Sequence, residues 1–407
     1  MNKETTYFDK YFVLAIIALL AFGLLMVASA SMAISERLYG APFHFFLRQV
    51  IYVVIGICAG LYVLRFSMEQ WLKASSFLLL IGIFLLIIVL VPGLGRHING
   101  STRWVGVGPI NLQVSEFMKL AMVIYMGGFL VRRNTEVRTR MVGFLKPMFV
   151  LGVIALLLLK EPDFGATVVI AVTVLTMMYM AGVRVWQFAV LVGLVLLALG
   201  ILAVSSPYRL QRLTTYLNPW AHAYGTGYQL TQSLIAFGRG GVFGVGLGGS
   251  VQKLFYLPEA HTDFLFSVLA EELGLIGILV TIGFYVLLVW RALLISRRAF
   301  YAGQSSAGLI AIGFSVWMAI QATVNMGVTS GLLPTKGLTL PLMSYGGSGI
   351  LIDCIVMGIL LRIDYEARKA GPDPLVKNAS YLDNRESLRR GKTIRSTRQA
   401  HRRSRFR

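Results

Sequence analysis

The feature that most narrows the fold is a series of unbroken apolar runs. They lie near 11–31, 49–65, 74–92, 112–131, 147–160, 164–182, 186–205, 264–290, 306–330 and 346–363. A helix needs about 20 apolar residues to cross the hydrocarbon of a bilayer, within a range of about 17–25, and most of these runs qualify. The run at 147–160 is short, and little more than Lys160-Glu161-Pro162-Asp163 separates it from the next. Soluble helices carry an apolar stripe on one face, whereas these segments are apolar all round. Of 407 residues, 56% are hydrophobic and 14% charged, against about 25% charged in soluble domains. So much apolar surface cannot be hidden from water in one core. The expected fold class is an all-α polytopic membrane protein of about ten transmembrane helices, with a large periplasmic loop between spans seven and eight.

Charge sets the orientation. With ten spans both termini share a side, and placing them in the cytoplasm puts 27 of the 38 Lys and Arg there, as the positive-inside rule requires. The net charge of +20 would suggest nucleic acid in a soluble protein, but much of it sits in one segment. Residues 365–407 hold 13 Lys/Arg against 4 Asp/Glu. This polar tail lacks apolar periodicity, reads as disordered, and suits anionic lipid headgroups rather than nucleic acid. Residues 1–10 form a short cytoplasmic segment and 11–364 the membrane domain. Lys3, Lys10 and Ala28-Ser29-Ala30 imitate a signal peptide, but the first run has spanning length and many more follow, so cleavage is not expected. Cys58 and Cys354 lie in apolar runs without metal-ligand spacing and read as packing residues.

Polar residues in or beside the spans are the functional candidates, because ionisable groups in lipid are costly. Glu116 and Lys119 are three apart in the fourth span and share a helical face; they form either a structural ion pair or the lining of a polar cavity. The long loop at 206–263 is aromatic and glycine-rich, with Gly238, Gly240, Gly241, Gly244, Gly246, Gly248 and Gly249. Short helices at the outer surface are expected there. It closes on Pro258-Glu259-Ala260-His261-Thr262-Asp263-Phe264. Asp263 suits a helix N-cap, yet a carboxylate desolvated at the boundary also suits a general base, and Glu271 and Glu272 follow two turns on. The last outer loop, 333–348, is too rich in Pro and Gly for regular helix. Irregular backbone at membrane depth survives only when buried in protein or lining a polar cavity. Its Ser344, Gly346 and Gly347 precede the tenth span, where free N–H groups can bind an anion.

These segments together resemble the SEDS family (shape, elongation, division and sporulation proteins) over residues 10–366. The motifs are Gly-Ser-Thr-Arg-Trp at 100–104, Glu-Pro-Asp at 161–163, Gly-Tyr-Gln-Leu-Thr-Gln-Ser at 227–233, Pro-Glu-Ala-His-Thr-Asp-Phe at 258–264 and Pro-Thr-Lys-Gly-Leu-Thr-Leu-Pro at 334–341. The Thr335-Lys336-Gly337 form is that of the family's division branch, and Ser348-Gly349 departs slightly from the usual Ser-Ser.

The resemblance implies an inverting peptidoglycan glycosyltransferase that joins lipid II units by β-1,4 bonds and releases undecaprenyl pyrophosphate during septal wall synthesis. It implies Asp263 as general base and Glu116 with Lys119 as a cavity-facing pair. The candidates for contact with substrate are Glu116, Lys119, Arg103, Arg239, Lys253, His261, Lys336 and Ser344. A divalent cation, Mg or Mn, is an alternative means of neutralising the pyrophosphate; no metal ligands can be named. The implied partner is a class B penicillin-binding protein, the septal transpeptidase, with other division proteins, at the bacterial inner membrane. A lipid II flippase and a non-catalytic division scaffold are the competing readings.

Overall fold

The structure, a computed structural model of the chain, describes residues 8–98, 101–107, 110–183, 216–334 and 337–371, with scattered positions between 186 and 201. Much of the seventh run, Lys336 and most of the basic tail therefore lie outside the described residues. Three helices open the chain, α1 (Lys10–Tyr39), α2 (His44–Val63) and α3 (Met68–Leu90). Then come α4 (Val114–Arg132), the short α5 (Asn134–Thr139), α6 (Met141–Lys160) and α7 (Phe164–Met180). The second half holds α8 (Tyr228–Gly240), α9 (Leu265–Tyr301), α10 (Ser305–Thr329) and α11 (Gly347–Ala370).

Seven of these, α1, α2, α3, α4, α6, α9 and α10, are long and apolar enough to cross a membrane. The chain is thus a helical membrane protein. α7 is apolar but has 17 residues, and α11 carries several ionisable groups, including Asp353, Arg362 and Asp364. The short fifth run is in fact a full 20-residue helix that begins before Pro147 and continues through it. Its start could not be read from apolar residues alone, because Lys146 and Pro147 interrupt them.

A three-stranded antiparallel sheet holds the β-strands among the described residues. β1 (Gly95–Ile98) pairs with β2 (Ser101–Val107), which pairs with β3 (Ile110–Gln113). The Thr-Arg-Trp-Val-Gly-Val stretch is rich in the β-branched and aromatic residues that fit a pleated surface. Its register sets Trp104 opposite Gln113 and Val105 opposite Leu112, so β3 feeds straight into α4 and fixes Arg103 above that helix.

α8 and the glycine loop after it pack on α9 rather than lying free. α9 is broken at Gly274, whose φ of 63° is a left-handed conformation that favours glycine. Freed backbone groups are taken up by the loop: Leu275 N–H donates to Gly241 C=O at 2.9 Å, and Val245 N–H donates to Glu271 C=O at 3.0 Å. A broken helix at membrane depth needs such substitution, since lipid provides no partner.

Helix contacts in lipid depend on close packing, because lipid tails are as apolar as the side chains. α2 and α11 meet through Gly56 and Gly60 on one side and Cys354 and Gly358 on the other. A Cβ at Gly60 would stand 2.7 Å from the Cys354 carbonyl oxygen, and one at Gly358 would stand 2.4 Å from that of Gly60. At one end of the bundle Asp9, buried and capping α1, receives Arg291 and Arg298, with Arg298 also on Asp364 at 2.8 Å. This ties α1, α9 and α11 together. The motifs singled out in the sequence gather at the opposite end.

Gly60→Val forces α2 and α11 apart at a cost of about 1–3 kcal/mol. Thermal unfolding in detergent will show a lowered midpoint for this variant. Gly152→Val, whose Cβ meets nothing within 4 Å, will serve as the neutral control.

Candidate functional site

Asp263 lies at the mouth of α9, on a loop whose fold is set locally. Glu259 adopts a left-handed φ of 55°, and its carbonyl accepts from the backbone N–H groups of Thr262 and Phe264, both at 3.2 Å. Thr262 Oγ1 donates to Glu259 Oε2 at 2.7 Å. Asp263 is half-buried. Burial pushes its carboxyl up to about 7, reinforced by the charge of Glu259, opposed by Arg103 and raised further by Asp163. His261 is buried, and that burial lowers its pKa against the pull of Glu259.

The last irregular loop forms a second wall. Its backbone is satisfied mainly by side chains from the bundle, as buried peptide groups demand. Asn325 Nδ2 on α10 donates to Leu338 C=O at 2.6 Å and to Asp263 C=O at 2.8 Å, so one amide joins both motif loops. Gln321 Nε2 donates to Thr339 C=O at 3.1 Å. Asp353 Oδ2 accepts from Leu342 N–H at 3.0 Å, and Ser344 Oγ accepts from Leu340 N–H at 2.9 Å. Gln49 Nε2 donates to Ser344 C=O at 3.1 Å, and Tyr345 N–H donates to His261 C=O at 3.0 Å. Gly337 stands against the carboxylate itself, where an added Cβ would lie 2.8 Å from Asp263 Oδ2.

The intramembrane pair connects to this wall. Lys119 Nζ lies 2.8 Å from Glu116 Oε1 and 2.6 Å from Gln321 Oε1, and 4.7 Å from the centre of the Trp317 ring. Trp317, Gln321, Asn325 and Thr329 are each four residues apart on α10, so they form one polar stripe. The stripe runs from the buried ion pair up to the Asp263 loop.

A third wall comes from β2 and the α6–α7 junction. Arg103 Nε donates to Glu161 C=O at 3.2 Å and Arg103 Nη2 to Pro162 C=O at 2.7 Å, while Nη1 lies 4.0 Å from Asp163 Oδ1. Asp163 caps α7 by accepting from Ala166 N–H at 3.2 Å. The Glu161 carboxyl is fully buried with neither oxygen hydrogen-bonded. Burial, with Asp163 adding to it and Arg103 opposing, pushes it up to about 8.

The remaining candidates have other engagements. Arg239 Nη1 meets Glu271 Oε1 at 2.8 Å, and Lys253 Nζ meets Glu272 Oε1 at 2.7 Å and Ser29 Oγ at 2.9 Å. Glu271 also accepts from Ser250 and from the backbone N–H of Val251 at 3.1 Å. These pairs, each on a buried glutamate, fasten α8 and the glycine loop to α9. Among the described residues no group of three or more His, Cys, Asp or Glu is placed to hold a metal ion. Residues that pattern reading passed over include Gln49, Gln321 and Asn325. A polar residue every fourth position in an otherwise apolar span was the available signal for the last two.

Comparison with known proteins places this geometry in context. The cell cycle protein family FtsW/RodA/SpoVE matches residues 10–369. A Coxiella burnetii protein described as a probable peptidoglycan glycosyltransferase FtsW is 55% identical over 369 residues, covering 90% of this chain and 99% of the relative. Its Legionella pneumophila counterpart of the same description is 54% identical, covering 90% and 93%. Among solved structures, a chain of a peptidoglycan synthase complex that coordinates polymerization and crosslinking matches with TM-score 0.73 at 27% identity, over 88% of this chain and 98% of its own. The rod shape determining protein RodA of Thermus thermophilus matches with TM-score 0.65 at 26% identity, over 88% and 96%.

Asn325→Leu removes two hydrogen bonds and leaves two carbonyls without that donor, at about 1–3 kcal/mol for each buried group. Hydrogen exchange will show faster opening of residues 337–345 than in the wild type, with α3 and α4 unchanged.

Proposed function

This chain belongs to the FtsW/RodA/SpoVE family of cell cycle proteins, and from that membership we propose that it polymerises a lipid-linked saccharide at Asp263. It is a multi-pass membrane protein and a peptidoglycan glycosyltransferase of cell-wall synthesis. The finer reading is as follows. Two lipid II molecules meet at the end of the bundle where the motifs gather, which faces the periplasm. Asp263 withdraws the proton from the acceptor's GlcNAc 4-hydroxyl as its oxygen attacks C1 of the donor's MurNAc. The bond from C1 to the diphosphate breaks on the opposite face, inverting the centre to β-1,4, and undecaprenyl diphosphate leaves with the bonding electron pair.

The observation that carries this reading is the carboxyl of Asp263, pushed up to about 7 where the sheet, the α6–α7 turn and the last loop come together. A hydroxyl is a poor nucleophile until its proton is being removed, and a base whose pKa lies near the working pH does this best. No carboxylic acid is needed opposite it, because a diphosphate departs without strong protonation. Glu116 and Lys119 are placed to steady the cavity floor through Gln321 rather than to touch the sugar. The basic end, with Arg291, Arg298 and Arg368, faces the cytoplasm on the positive-inside rule. The resemblance to a polymerising and crosslinking complex supports a class B penicillin-binding protein as partner at the septum of the inner membrane.

The purified chain with its crosslinking partner, given labelled lipid II, will yield glycan strands. Asp263→Asn will lower the rate by about 10²–10⁴-fold; strands at the wild-type rate would end the base assignment. Because the base must be ionised, the wild-type rate will rise with pH through about 7 and fall about tenfold per unit well below it. Gly337→Ala, whose methyl collides with Asp263 Oδ2, will cut the turnover while leaving thermal stability close to that of the wild type.

A further inference from the structure

The cations at the Asp263 end differ in what neutralises them. Arg239 and Lys253 are paired with Glu271 and Glu272, and Arg103 is held by two backbone carbonyls and Asp163. Arg48 is different. Among the described residues it has no carboxylate partner, and its one hydrogen bond is a long 3.5 Å contact from Nη2 to Tyr52 Oη. The groups that act on it electrostatically are the phenols of Tyr345, Tyr52 and Tyr39. A guanidinium has five donors in a planar fork and no acceptor, so a half-buried one among aromatic rings lacks most of its hydrogen bonds and its counter-charge.

Its location is not incidental. Arg48 lies in the second turn of α2, next to Gln49, which holds Ser344 C=O at 3.1 Å and accepts from Gly346 N–H at 3.4 Å. Phe45, one turn earlier, has its ring 4.8 Å from His261 and 5.2 Å from Tyr345, and the His261 and Tyr345 rings lie 5.4 Å apart. Tyr52, one turn later, packs its ring where a side chain at Gly347 would stand. The guanidinium therefore belongs to the wall that carries His261, two residues from Asp263. Burial pushes the Tyr345 phenol up to about 12, against the pull of Arg48, so at neutral pH it keeps its O–H and can donate. Among the described residues the cluster presents one cation and several phenols with no carboxylate paired to the cation, an arrangement that selects for a phosphate oxygen anion.

We infer that Arg48, with the phenols of Tyr52 and Tyr345, binds the phosphate oxygens of a polyprenyl-diphosphate-linked saccharide beside Asp263. This rests on the reading of the site as one for lipid-linked saccharides. An ordinary phospholipid headgroup shares the same chemistry, so the test must separate the two.

The full chain in phosphatidylcholine nanodiscs, titrated with undecaprenyl diphosphate, provides that test without turnover. Arg48→Gln will weaken the affinity by about 10–100-fold, the range expected for a charge-assisted hydrogen-bonded contact. Arg48→Lys, which keeps the charge and loses the fork, will weaken it less, and Tyr52→Phe by about 2–10-fold. Phosphatidylglycerol at equal concentration will not displace the diphosphate. Wild-type affinity in properly eluting Arg48→Gln, or in Arg48→Lys and Tyr52→Phe if the Gln variant does not fold, would overturn the inference. So would displacement by phosphatidylglycerol, which would make the pocket a general headgroup site. Arg48-dependent binding in a chain that forms no glycan would leave the inference standing and sink the polymerase reading. Glycan formation with affinity indifferent to Arg48 would do the reverse.

Discussion

The organisation of this end of the molecule depends on how an irregular loop is kept hydrogen-bonded inside an apolar bundle. Peptide groups of residues 338–346 cannot turn to water for partners, and lipid supplies none. Gln49, Gln321, Asn325, Ser344 and Asp353 serve instead, from three different helices and the loop itself. Asn325 has the widest reach, since the same amide nitrogen also holds the carbonyl of Asp263. The position of the Asp263 carboxyl is therefore a consequence of how the loop backbone is satisfied. A change at Asn325 in α10 is felt at Asp263 through its backbone carbonyl, without touching the carboxylate.

The charged residues divide into those that are satisfied and those that are not. Glu271, Glu272 and Asp9 are buried with arginine or lysine against them, which holds segments together because removing either partner would strand a buried charge. Among the described residues, Asp263, Glu161 and Arg48 have no ion-pair partner within 4 Å except the groups already named, and all three lie at the end where substrate is proposed to bind. Burying a polar group without a partner costs free energy, and such costs concentrate where function requires them. The contrast separates the residues that fasten segments together from those proposed to meet substrate better than charge or burial does alone.

Close packing of small residues makes this possible. Gly56 and Gly60 bring α2 against α11, and that contact delivers the opposite end of α2, with Phe45, Arg48, Gln49 and Tyr52, to the motif loops. Gly274 plays the same part in α9, where a left-handed break admits the glycine loop that Glu271 and Glu272 then secure.

Much of this was legible in the chain itself. Apolar runs of spanning length can only be helices in lipid, so the class of fold, the places of most spans and the candidacy of Glu116, Lys119 and Asp263 as polar groups in or beside the spans follow from the sequence. The repeated polar positions of α10 were present too, but their partners were not. Pattern reading set Arg239 and Lys253 beside Arg103 as candidates for substrate contact, because a sequence shows that a lysine is present and not which carboxylate neutralises it. It missed the small sheet, whose strands are too short to dominate a helical chain. Hydrophobicity and covalent order act residue by residue and so determined the architecture. Neutralisation, desolvation and the shared hydrogen bonds of Asn325 depend on atoms brought together from distant segments, and only the tertiary structure decided them.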